Sequence, residues 1–64
     1  MTLRETALAM ADKYEPLGYI PFAQRLRAAA DSDDIHGALA DMLTFYRVRA
    51  CPGPAAALET LLDD

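Results

Sequence analysis

The chain has 64 residues and one cysteine, so a domain this small must hold together without a disulfide framework; Cys51 and His36 alone also exclude a zinc clip. Its 53% hydrophobic and 25% charged residues exclude a disordered chain, and its apolar runs fall well short of the roughly 20 residues of a membrane span. The formal net charge of −4 leaves too few clustered cations for a nucleic-acid surface.

Four helices are predicted, at about 3–15, 21–30, 33–49 and 54–62. In the first, Thr2 and Glu5 make the T-x-x-E pattern of a capping box, in which each side chain satisfies an end amide of the other residue. Leu3, Ala7, Met10, Ala11 and Tyr14 then recur at helical spacing. Pro16 and Gly18 stop this helix, and Pro21, with its fixed φ, opens the second. Between them runs LGYIPF, which gathers Leu17, Tyr19, Ile20 and Phe22 around a turn. Such residues fold back over the open end of a small bundle, or form a docking patch if they stay exposed. Phe22, Leu26, Ala29 and Ala30 supply the inner face of the second helix.

DSDDIHG, Asp31–Gly37, comes next. A calcium loop starting at Asp31 would need an oxygen ligand at its fifth position, glycine at its sixth and glutamate at its twelfth. The chain has Ile35, His36 and Met42 there, so the stretch is read as a helix start, capped by Ser32 or Asp33. Asp31-Ser32 also resembles the start of the D-S-L motif on which acyl carrier proteins, likewise small, acidic and helical, carry phosphopantetheine. The resemblance implies Ser32 as an attachment point. It covers two residues, and Asp33 stands where that motif has an apolar one.

In the third helix Ile35, Ala38, Leu39, Met42, Leu43, Phe45 and Tyr46 cover a wide arc, which suits a central helix with several neighbours. CPGP, Cys51–Pro54, breaks it. Pro54 starts the fourth helix, with Ala57, Leu58, Leu61 and Leu62 inward. The arginine pairs RLR and RVR form no compact basic patch, because residues two apart on a helix diverge and the two helix ends are expected far apart. His36 and Ser32 have no triad around them, and only Arg47 and Arg49 lie near Cys51 to activate it.

Charges balance over residues 1–32, so the acidic excess lies in the second half. An antiparallel pairing of the last two helices would bring Asp31, Asp33 and Asp34 towards Asp63 and Asp64, with Arg47 and Arg49 at the other end. The expectation is therefore an all-α, compact bundle of four short helices, one domain over 1–64. Its expected role is that of a small acidic, non-catalytic adaptor, regulator or inhibitor that binds another protein, one with a basic surface. The candidate contacts are Asp31, Asp33, Asp34, Asp63 and Asp64, with Leu17, Tyr19, Ile20 and Phe22. No enzyme activity, metal, cofactor, nucleic acid or membrane is expected. A self-associating homodimeric subunit is the second reading, since so many apolar side chains strain one small core. A carrier domain modified on Ser32 is the third. The N-terminus MTLRETALAMADK lacks the basic start and apolar run of a signal peptide, and with the lone thiol this gives an expectation of a cytoplasmic protein.

Overall fold

A computed structural model describes residues 2–63. Four helices account for most of them: α1 (Leu3–Tyr14), α2 (Ile20–Ala30), α3 (Ile35–Val48) and α4 (Pro52–Leu62). A 3-10 turn, Glu15–Leu17, joins α1 to α2. No strand occurs among the described residues, and no helix among them is long and apolar enough to cross a membrane. The fold is the all-α bundle of four short helices that the periodicity implies.

The capping box forms as predicted: the Glu5 amide donates to Thr2 Oγ1 at 3.2 Å, and the Thr2 amide donates to Glu5 Oε1 at 3.4 Å. At the other end of α1, Pro16 sits in the 3-10 turn and Gly18 adopts φ 96°, a left-handed conformation that favours glycine. That reversal folds α2 back along α1. Arg4, early in α1, consequently shares a surface groove with Asp31, just past α2. Ala7 and Ala11 on α1 and Ala23 and Ala30 on α2 are buried, and side chains this small let the two backbones approach closely.

Helix α3 starts two residues later than the sequence suggests, and neither Ser32 nor Asp33 caps it. The cap is Asp34, whose Oδ1 accepts from the Gly37 amide at 3.1 Å. Ser32 instead closes the preceding turn, its Oγ accepting from the Asp34 amide at 3.2 Å. The Asp31 amide donates to both Arg27 and Ala28 carbonyls, which uses up the end of α2 and delays the new helix. Gly37 has a local reason as well, because a Cβ there would collide with the Asp34 carboxylate.

The end of α3 differs from expectation in a second way. The break lies at Ala50, with φ 55°, and not at the prolines. The Cys51 amide donates to the Tyr46 carbonyl at 2.9 Å and the Ala50 amide to that of Arg47 at 3.1 Å, which is the hydrogen-bond pair of a Schellman motif. Helix α4 therefore begins at Pro52, with Cys51 as its N-cap residue. Both Pro52 and Pro54 fall in the first turn, where backbone amides have no intrahelical partner to lose.

The core holds Ala7, Ala11, Phe22, Ala23, Leu26, Ala29, Ala30, Leu39, Met42, Tyr46, Ala55, Ala57, Leu58 and Leu61, with Leu26, Leu39 and Leu58 its largest fully buried side chains. Among the described residues, no charged residue is buried with them. Helix α1 packs mainly on α2 and α3 on α4, so the molecule is two helical hairpins joined through α2 and α3. The radius of gyration, 10.5 Å, agrees with the roughly 10.7 Å of a compact chain of this length.

Candidate functional site

Two reversals, at Gly18 and at Ala50, bring separate parts of the chain to one corner. There all three tyrosines and both phenylalanines form a continuous edge-to-face series. Tyr14 meets Tyr19 at a centroid separation of 5.5 Å and Phe22 at 5.4 Å; Phe22 meets Tyr46 at 5.5 Å; Tyr46 meets Phe45 at 5.1 Å. Edge-to-face pairs at these separations each stabilise by about 0.5–1.5 kcal/mol beyond the area they bury. The series is thus rigid as well as apolar.

Against three of these rings lies an open groove of about 460 Å³. Phe22 and Tyr46 line it, together with Tyr19, and the start of α4 contributes Pro52, Gly53 and Pro54. Tyr19 approaches α4 closely, its hydroxyl 3.9 Å from where a Gly53 Cβ would stand. Arg25 also lines the groove, and its Nη1 donates to the Tyr46 hydroxyl at 3.2 Å.

The four arginines of RLR and RVR part company here. Arg27 Nη2 binds Glu15 at 2.8 Å and Asp12 at 2.9 Å, and those hydrogen bonds, Glu15 before Asp12, raise its pKa. Arg47 pairs with Glu59 at 2.9 Å. These are solvent-accessible pairs that orient side chains more than they stabilise the fold. Arg25 and Arg49 turn the other way and stack on one ring: their Cζ atoms lie 4.4 and 3.7 Å from the Phe45 centroid. Among the described residues, no carboxylate forms an ion pair with either. The expectation that the two pairs stay far apart fails because Arg25 sits in the middle of α2, beside the end of α3.

The sequence-predicted contacts separate in the same way. Leu17, Tyr19 and Ile20 are exposed, by 64, 43 and 48%, on the rim of this corner. Phe22 is not: it is 2% exposed, because it shares the inward stripe of α2 with Leu26 and Ala29. It serves as a wall of the core and offers no free side chain to a partner.

Of the acidic residues, Asp34 is committed to the α3 cap and Asp31 shares its groove with Arg4 and Arg27. Asp33 is exposed, with no hydrogen bond or ion pair from its side chain among the described residues. Asp63 lines an open groove along α4, among whose other lining residues Arg47 pairs with Glu59. Asp64 lies outside the described residues. No three His, Cys, Asp or Glu side chains among the described residues come together as metal ligands would. Sequence reasoning missed Arg25, Phe45, Tyr46 and Arg49 as a group; the only local signal was the adjacent aromatic pair Phe45-Tyr46. No protein-family model matches the chain, and no curated protein or solved structure matches it either.

Proposed function

We propose that this protein is a small non-catalytic module that binds another protein through the corner between its two reversals. The observation that carries this reading is the joint exposure of Leu17, Tyr19 and Ile20 beside a groove walled by aromatic rings and prolines. Large apolar side chains held exposed next to a rigid concave surface are the usual marks of an interaction site. In this reading Asp31 and Asp33 act only at a distance, on the rate at which a basic region of the partner approaches. An adaptor, regulator or inhibitor role fits a surface whose features are those of binding.

The test is site-specific photocrosslinking in the source cell, with benzoylphenylalanine at position 17 or 20 and, as a control on the other side of α2, at position 28. The expected result is one discrete adduct with a different protein from positions 17 and 20 only. Ile20→Asp should then abolish binding of that protein, once purified, while circular dichroism shows the helices unchanged. An adduct with a second copy of the chain would favour the homodimeric reading, whose melting temperature should rise with protein concentration. Equal labelling from position 28 would remove the corner as a binding site.

A further inference from the structure

Within this docking reading, on which the inference rests, we infer that the groove takes an extended acidic segment of the partner, whose carboxylates sit on Arg25 in its lining and on Arg49, outside that lining but over the same Phe45 ring as Arg25. The chain has 10 acidic residues for 6 Lys and Arg, yet these two guanidiniums form no ion pair among the described residues. Arg4 and Lys13 form none either; what sets Arg25 and Arg49 apart is that both lie over one ring, which gathers two cations for an outside anion. They are also held in place. Each guanidinium lies over the Phe45 ring on an exposed side chain, so N–H donors remain for a carboxylate, which a guanidinium binds in bidentate fashion. Arg25 spends one donor on the Tyr46 hydroxyl, which keeps its own proton to donate. Beside Arg25, the exposed Tyr19 and Pro52 offer the groove an apolar edge suited to alternate side chains of an extended peptide.

Other occupants fit less well. A polynucleotide needs a continuous track of cations, whereas two arginines on a chain of net charge −4 neutralise about two phosphates. A second copy could present its own Asp31–Asp34 turn, but such a contact joins two different surfaces and would build rings or open chains in place of a discrete dimer.

The experiment uses fluorescein-labelled peptides of about eight residues, long enough when extended to cross the molecule's 27 Å longest dimension. One alternates Pro and Leu with Glu and Asp; the second has Gln and Asn in place of the acids; the third has Lys. Fluorescence anisotropy gives affinities, and backbone amide shifts locate the contact. The acidic peptide should bind about tenfold or more tighter than the neutral one, with shifts at Arg25, Tyr46, Arg49 and Gly53. Arg25→Gln and Arg49→Gln should each weaken it about fivefold or more, and Arg49→Lys should recover only part of the loss. Equal binding of the neutral peptide at the same amides would overturn the acidic specificity while leaving the docking corner standing. Shifts centred elsewhere, tighter binding of the Lys peptide or of a short single-stranded oligonucleotide, or no binding by any peptide would overturn the inference outright. Self-association that the acidic peptide fails to displace would do the same.

Discussion

The two inter-helix turns at Asp31–Asp34 and Arg49–Cys51 use opposite means to reverse the chain. The first is closed by its own side chains: Ser32 holds the Asp34 amide and Asp34 holds the Gly37 amide. The second has no side-chain cap on α4 and reverses through backbone geometry, with Ala50 left-handed and two prolines directly after it. The polar turn looks functional in the sequence, yet much of its hydrogen-bonding capacity is spent internally. The plain turn leaves its neighbours, Arg49 above all, free to face outward. Conspicuous local chemistry is therefore a poor guide to which turn carries a surface.

The largest effect that sharpens this contrast separates Phe22 from its rim neighbours. Phe22→Ala should cost about 3–4 kcal/mol, which would leave so small a domain largely unfolded at 25 °C. Leu17→Ala and Ile20→Ala should each change stability by less than about 0.5 kcal/mol. Thermal melts followed by circular dichroism would show it, and a large loss from Ile20→Ala would mean the rim is structural.

Next is Ala50. A left-handed alanine costs about 1 kcal/mol relative to glycine, so Ala50→Gly should stabilise by roughly that amount in chemical denaturation. A destabilised variant would place the strain elsewhere.

The Asp34 cap comes third and is best measured as a cycle. Asp34→Ala should cost about 1 kcal/mol. Gly37→Ala should be near neutral in the native chain, where gained helix propensity is offset by the collision with Asp34, but should stabilise by about 0.5–1 kcal/mol once Asp34 is alanine. Additive changes would contradict the proposed link between these two residues.

Smallest in stability terms is Asp33→Lys, expected within about 0.5 kcal/mol of the native chain. Its effect belongs to kinetics: association with a basic partner should slow, as it should at raised salt, with dissociation unchanged. Stopped-flow or surface-based rates would detect an altered dissociation rate, which would instead make Asp33 a direct contact.

Much of the fold was legible in the sequence because its signals are local. The capping box at Thr2 and Glu5, the stripe of Ala7 and Ala11, and the inward set of α4 each depend on residues within a few turns. The start of α4 reads two residues late in the sequence because Pro52 looks like a breaker, although a first helical turn tolerates both prolines. The corner was not legible. Arg25 and Phe45 are separated by most of two helices, and only the angle at which α2 meets α3 puts one over the other. A pattern of residues along one chain does not encode that angle.

The convergence of Arg25 and Arg49 on Phe45 underlies the acidic specificity assigned to the corner, and proton NMR tests it directly. Nuclear Overhauser contacts should run from the Phe45 ring to the side-chain methylenes of both arginines, whose resonances should lie upfield from the ring current and return to ordinary positions in Phe45→Leu. Arg27 and Arg47, paired with carboxylates on α1, its following turn and α4, should show neither effect. If Arg25 and Arg49 instead show ordinary shifts and no contact with Phe45, the two cations are not held together and the corner has no site for an acidic segment.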